Sequence, residues 1–299
     1  MLRRCLLATI LTLSGCGGAS QSEATTPDTT SESGAAAELM VVTSPEAAGA
    51  VNSTLIVADG RALVIDAQFT VSGARAVIAR LEAAGAELDT VLITHAHPDH
   101  YFGARTLIER YPEARVIAAP AVVAEMQETA SAVAAQQSGR LGAEFPGEPV
   151  IPETHADGTL TFARVELTLM HGLQGDTHPI TAVHIPALDT LVTSDIGFSG
   201  THVWTADSTP ESRARWQEQL DALDAMNAGR VIPGHQMEGA AQTGALLTST
   251  REYVAAFDQE AAQADGADAL VAAMTARYPD AGGALFLTIG AQAVAGASE

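Results

Sequence analysis

Lysine is missing from this chain. All 15 of its cationic side chains are arginines, set against 36 aspartates and glutamates, and the formal net charge is −21 over 299 residues. Gripping a phosphate backbone takes a basic footprint, so nucleic acid is excluded as a partner and the acidity reads as solubility. Cysteine is nearly absent as well, with only Cys5 and Cys16 present. A Gly-x-Ser-x-Gly turn, which would mark a serine nucleophile, occurs nowhere. Long apolar runs are lacking too. The run at residues 5–13, behind Arg3 and Arg4, falls well short of the roughly 20 residues that span a bilayer. It reads instead as the core of an export signal.

Leu13-Ser14-Gly15-Cys16 closes that run and resembles the bacterial lipobox, in which cleavage precedes the cysteine and lipid is attached to it. The expectation is therefore a signal at residues 1–15 and acylation at Cys16, with Cys5 discarded and no free thiol or disulfide left. Several acyl chains on one residue make a stable membrane anchor where a single chain does not. Gly17 in the next position points by analogy to the outer membrane of a host that has one, on the periplasmic or cell-surface side. Residues 17–38 are Ser, Thr, Ala, Gly and acids with almost nothing to bury. Residues 16–38 are thus the acylated cysteine and a flexible tether, about 25 Å in reach, leading to one domain at 39–299.

Imidazole, by contrast, is concentrated. Thr94-His95-Ala96-His97-Pro98-Asp99-His100 directly follows the apolar Val91-Leu92-Ile93. Core packing does not produce three imidazoles and a carboxylate at this density. On a helix they would scatter around the circumference. On an extended segment leaving a strand, His95, His97 and Asp99 share one side, while Pro98 and His100 turn the chain. Neutral imidazole and carboxylate are ligands for divalent first-row metals, zinc above all. The motif is a metal site.

His-x-His-x-Asp-His after a short apolar strand resembles the signature of the metallo-β-lactamase-fold superfamily. Later pieces follow in the family's order. Gly175-Asp176-Thr177 stands for its Gly-His-Thr turn, Leu191-Val192-Thr193-Ser194-Asp195 for a strand ending in Asp, and Val231-Ile232-Pro233-Gly234-His235 for its late Gly-His. The resemblance covers about residues 39–240 and implies an α/β fold, a four-layer αβ/βα sandwich. It also implies two divalent metal ions, zinc first. His95, His97 and the third-ligand position would hold one, Asp99, His100 and His235 the other, with Asp195 bridging them.

The departure is Asp176, which stands where the family has its third histidine. The alignment also brings Thr181 and Pro186 into register, so the substitution is taken as real. Aspartate ligates zinc at about the imidazole distance, but its reach is shorter. His178, two residues on, is the alternative ligand. Three aspartates and one hydroxide balance two divalent cations to about zero, and the harder oxygen admits manganese or iron.

The implied chemistry is hydrolysis of a small carbonyl substrate (a lactone, ester or thioester) by a hydroxide held between the cations, since cation-bound water has a pKa of about 7. Asp99 counts among the catalytic residues. A β-lactamase is the alternative, against which Asp195 speaks. The other is a non-catalytic binding protein with a partial metal site, supported by Asp176. Asp66, after Leu63-Val64-Ile65, is expected to support the metal loop from behind. His202 is expected as a substrate contact or proton donor, with Trp204 as a pocket wall. Tyr101 is either packing or wall. His155 is expected to be exposed, and His171 and His184 to be structural.

Periodicity and breakers predict strands at 39–43, 52–58, 62–66, 90–94, 115–118, 159–162, 165–171, 182–185, 190–193 and 230–232. Helices are predicted at 71–84, 102–110, 120–137, 210–226, 239–263 and 265–278. A loop at 138–152 is expected to border the active-site mouth.

Overall fold

The computed structural model describes residues 37–296. The predicted signal, Cys16 and nearly all of the tether lie outside the described residues. Among the described residues, no helix is long and apolar enough to cross a membrane.

Two sheets form the centre. The first contains β1 (Glu38–Thr43), β2 (Asn52–Ala58), β3 (Arg61–Ile65), β4 (Glu87–Ile93), β5 (Arg115–Ala118) and β6 (Glu153–Thr154), paired in that order. Asp59 and Gly60 both have positive φ, the backbone twist that closes a tight hairpin between β2 and β3. The second sheet runs in the order β11 (Arg230–Gln236), β10 (Thr190–Ser199), β9 (Ile180–Ile185), β8 (Val165–Leu173), β7 (Thr159–Phe162). Helices α1 (Val71–Ala83), α2 (Pro98–Tyr101), α3 (Ala104–Arg110) and α4 (Pro120–Leu141) belong to the first half. Helices α5 (Pro210–Asp224), α6 (Ala245–Ala261), α7 (Ala267–Arg277) and α8 (Ala284–Gly296) belong to the second.

Strand alternation explains how the layers stack. Side chains one residue apart point to opposite faces. Thus Ala62 and Val64 join the helix-side core of the first half, while Leu63 and Ile65 join the layer between the sheets. On the next strand Val91 and Ile93 face the helices and Leu92 faces the other sheet. The second sheet repeats the division, with Leu191 and Val231 toward its helices and Val192 and Ile232 toward the first sheet. The central strands of both sheets are buried on both faces, which is why they read as continuous apolar runs. Three apolar layers between four layers of structure give the expected αβ/βα sandwich.

Several boundaries depart from expectation: β4 begins at Glu87, β8 ends at Leu173, β9 begins at Ile180, and α4 runs on to Leu141, into the expected loop at 138–152. The two central strands of the second half run further: β10 continues from Thr193 to Ser199 and β11 from Ile232 to Gln236. Register shifts between Val192, Ser194 and Phe198 show bulges, which let a strand kink without ending. A helical turn begins at Pro98, where proline at the first helical position is preorganised. The expected helix at 239–263 begins only at Ala245, because Gly239 takes a left-handed turn. Finally, α8 has no counterpart in the prediction. Its run of Ala, Gly and scattered apolar residues has no polar face to mark it as a surface helix.

Candidate metal centre

The site lies where strand ends from the two halves meet. β4 delivers Thr94, His95 and His97; Pro98 then starts α2 and carries Asp99 and His100 on a helical turn rather than an extended segment. The bulge at Ser194, whose φ is 48°, turns Asp195 into the site. β11 delivers His235.

Asp66 organises the first half. Its Oδ1 accepts from the Thr94 backbone N–H at 2.9 Å, and its two oxygens accept from the Thr94 hydroxyl at 2.9 and 2.8 Å. Oδ2 also accepts from Ser194 Oγ at 3.2 Å and from His100 Nδ1 at 2.8 Å. Asp66 itself has φ 62°, a left-handed conformation that aspartate tolerates better than most residues. With both oxygens taken up, Asp66 holds the loop and fixes the His100 ring from behind. Such partners set the tautomer and orientation of a ligating histidine.

The other rings are aimed in the same manner. His235 Nδ1 donates to Gly49 O at 2.7 Å, leaving Nε2 3.1 Å from Asp195 Oδ2 and 3.5 Å from Asp99 Oδ2. His100 Nε2 is 3.2 Å from Asp195 Oδ1 and 3.8 Å from Asp99 Oδ2. His95 Nε2 lies 3.6 Å from Asp195 Oδ2. His97 is turned the other way. Its Nδ1 faces Asp176 Oδ2 at 3.3 Å and Asp195 Oδ2 at 4.0 Å, while Nε2 faces Asp207 Oδ2 at 3.4 Å.

Two sets of donors thus converge: His95, His97, Asp176 and Asp195 in one, and Asp99, His100 and His235 in the other, each within 4.8 Å. Zinc ligands at about 2.0–2.2 Å stand roughly 3.4 Å apart at tetrahedral angles, close to the separations found. His95 Nε2, His100 Nε2, Asp195 Oδ1 and both Asp176 oxygens are buried without a hydrogen-bond partner. Each such group costs about 1–3 kcal/mol when left unsatisfied, so a cluster of five is a site shaped for cations. The donor set fits a pair of divalent metals.

Charge inside the cluster is finely divided. Burial pushes the Asp176 carboxyl up to about 7, the nearby Asp195 adds to this, and His97 opposes both. Asp195 is held well below the usual carboxylate range in spite of burial, because His100, His235 and His95 surround it. His100 and His97 are raised well above an ordinary imidazole; burial opposes this, but Asp195 and Asp66 prevail at His100, and Asp176 at His97. His95 falls to about 4 through burial and the neighbouring His100. Without metal, the cluster therefore carries protons on His97 and His100, and partly on Asp176, that cations must displace. Apparent metal affinity is expected to fall by about tenfold or more per pH unit below 7. Chelator competition between pH 5.5 and 8 measures this, and a flat profile would contradict it.

Residues 47–235 match the family model of the metallo-β-lactamase superfamily. The chain belongs to that superfamily. A hydroxyacylglutathione hydrolase of Synechococcus sp. (strain JA-2-3B'a(2-13)) is 31% identical over 163 residues, covering 54% of this chain and 55% of that protein. The chain thus matches about half the length of this curated relative. A β-lactamase domain protein from Burkholderia ambifaria superposes with a TM-score of 0.61 at 18% identity, covering 87% of this chain and 84% of that one. A metallo-β-lactamase family protein from Thermus thermophilus gives 0.60 at 19% identity, covering 87% and 91%. At these identities the structures share the fold.

Within the superfamily site, the structure places Asp176, not His178, among the donors. His178 is exposed and outside the cluster. Asp176 reaches in because its amide donates to Asp195 O at 3.1 Å, and Gly175 allows that approach: a Cβ there would lie 2.6 Å from the same oxygen. Gly234 plays the matching part beside His235. A Cβ at this position would overlap Asp195 Oδ1 and lie 2.8 Å from the Asp195 nitrogen. Gly234→Ala is expected to displace the Asp195 carboxylate, cost about 1–3 kcal/mol in stability and lower metal content. Urea denaturation with elemental analysis checks both effects.

His202 departs from its expected role. Its Nδ1 pairs with the Tyr253 hydroxyl at 2.9 Å, and it is absent from the lining of the cavity above the metal centre. The backbone bond from His202 N to Gly282 O at 2.7 Å holds the ring behind the cavity wall. Trp204, two residues on, does line that cavity. Tyr101 is fully buried in the first-half core, so it is packing. His171 pairs with Thr181 Oγ1 at 3.0 Å and Asp157 O at 3.1 Å, and His184 is half-buried on β9. His155 is half-buried rather than exposed, its Nε2 bonded to Thr159 O at 3.0 Å.

Two participants escaped sequence reasoning. Asp207 faces His97 and accepts from the Trp204 indole N–H at 2.6 Å; an acid three residues after the expected wall tryptophan was the available signal. Phe286 of α8 stands edge-on to His235 at 5.0 Å, and nothing in the sequence marked it.

Proposed function

We propose that the chain is a dinuclear metal-dependent hydrolase acting on a small carbonyl compound such as a lactone, ester or thioester, with zinc the first choice of metal and manganese or iron the alternatives. The observation that carries this reading is Asp195. One carboxylate faces His100 with Oδ1 and His235, His95 and His97 with Oδ2, and so touches both donor sets. When bound, a pair of divalent cations supplies Lewis-acid activation of water and of a carbonyl oxygen. The chain's own residues do the rest. Asp66 and the Gly49 carbonyl lock the His100 and His235 rings, keeping the donors preorganised. Asp99, at 20% exposure the most open carboxylate of the set, lines the cavity, and the carboxylate oxygen not turned toward His100 and His235 would serve to take a proton from water and return it to the leaving group. Trp204 and Phe286 stand edge-on to the His97 and His235 rings at 6.5 and 5.0 Å.

The test is hydrolysis across a panel of lactones, esters and hydroxyacylglutathione, the last included for the Synechococcus relative. Expected are two equivalents of metal, loss of turnover with a chelator and its return with Zn²⁺. Turnover that persists in protein stripped of metal would end the proposal. We also propose that the protein is exported and lipid-anchored through Cys16, on the strength of Leu13-Ser14-Gly15-Cys16. Labelled palmitate should then enter the native chain in cells, and not the Cys16→Ser variant.

A further inference from the structure

The charged cluster forms only the floor of its cavity, which holds about 780 Å³, within the range of small-molecule sites. The walls are apolar. Phe69 and Val133 stand on one side, and Trp204 with Leu285, Phe286 and Ile289 on another. Phe286 packs edge-on against Trp204 at 5.5 Å, and the bond from Trp204 to Asp207 holds the indole in place. Leu285 is 58% exposed. A leucine open to water at the rim adds nothing to the folded core, but it extends the apolar wall outward.

The same cavity is poor in groups that would welcome an anion. Arg140 is the only arginine among its lining residues. Its Nε donates to Gln137 Oε1 at 2.7 Å and its guanidinium lies 5.3 Å over the Phe69 ring. Beyond the metal donors, the remaining charged groups at the lining are carboxylates. Glu46 accepts from the Gly283 backbone N–H at 2.7 Å, and Asp207 is the partner of Trp204. An anionic substrate arm would face these carboxylates across an otherwise apolar wall.

We infer that the substrate bears its reacting carbonyl on an uncharged, apolar acyl group of medium length, seated between α4 and α8. The inference rests on the hydrolase reading above and specifies its substrate class. Each methylene taken from water into such a wall is worth about fourfold in affinity.

Two measurements on the full chain separate the pocket from the reaction. The first is kcat/KM for p-nitrophenyl acetate, butyrate and octanoate, and for the mono-p-nitrophenyl ester of suberic acid, which resembles the octanoate with a carboxylate at its far end. The octanoate is expected to exceed the acetate by about 100-fold or more, and the suberate to fall at least tenfold below the octanoate. The second is binding of octanamide against acetamide by calorimetry, which needs no bond cleavage. Octanamide, six methylenes longer, is expected to bind at least about 100-fold more tightly, with Leu285→Asp and Phe286→Ala each removing most of that preference. Leu285 is exposed, so its substitution keeps the core intact.

If no ester is cleaved while octanamide binds with this selectivity, the hydrolase reading fails and the apolar site stands. If octanamide binds no better than acetamide, or Leu285→Asp leaves the preference whole, the acyl-group inference is overturned even where short esters are cleaved. A suberate ester cleaved as well as the octanoate would overturn the requirement for an uncharged group.

Discussion

Asp195→Ala is expected to empty both metal positions and to lower hydrolysis by at least about three orders of magnitude. The size follows from position. A catalytic cation contributes several kcal/mol of transition-state stabilisation, each 1.36 kcal/mol is about tenfold in rate, and this one residue faces both donor sets. The variant also strips the buried imidazoles of their shared counter-charge. Removing one partner of a buried ion pair costs about 3–5 kcal/mol, so a lower urea midpoint is expected beside the metal loss. Asp195→Asn separates the two effects. It keeps the shape and one acceptor, so it should fold more nearly like the parent while still failing to hold two cations. Elemental analysis, circular dichroism and initial rates on the three proteins check this. An Asn variant with two equivalents of metal and parental turnover would refute the bridging role.

Much of this site could be read from sequence because its donors arrive in two forms that leave a local mark. His95, His97, Asp99 and His100 are crowded into six residues, and Asp195 and His235 each follow a short apolar strand. Asp66 was legible for the same reason, coming at the end of β3. The layered fold was legible because strands covered on both faces read as unbroken apolar runs. The rest was hidden by tertiary geometry. Strand ends were placed early at Thr193 and Ile232 because a bulge and a proline look like terminators, yet neighbouring strands hold both segments in the sheet. The position of the His202 ring was hidden for a related reason. Residues in one loop point both ways, and only the packing of Tyr253 decides that His202 faces inward while Trp204 faces the cavity. The helix α8 lies far from the motif in sequence, yet its Phe286 stands against His235 at the site, a relation that carries no local signal.

Asp176 is where sequence and geometry test one another most sharply. Its carboxylate is fully buried, its two oxygens lack hydrogen-bond partners, and Oδ2 points at His97 Nδ1 from 3.3 Å. A side chain with only a structural task would have its oxygens bonded. The native protein is therefore expected to hold two equivalents of metal. Asp176→Ala should hold one, at Asp99, His100 and His235, and lose at least about 100-fold in turnover, a drop of roughly 3 kcal/mol in stabilisation. Asp176→His tests whether the shorter ligand suffices. An imidazole is bulkier than a carboxylate, and Gly175 leaves little slack against Asp195 and Ile180, so a stability loss of about 1–3 kcal/mol is expected from overpacking with no gain in metal content. One equivalent in the native protein, rising to two in Asp176→His, would instead mean that the first donor set is half-built. The chain would then be a binding protein that keeps the superfamily fold.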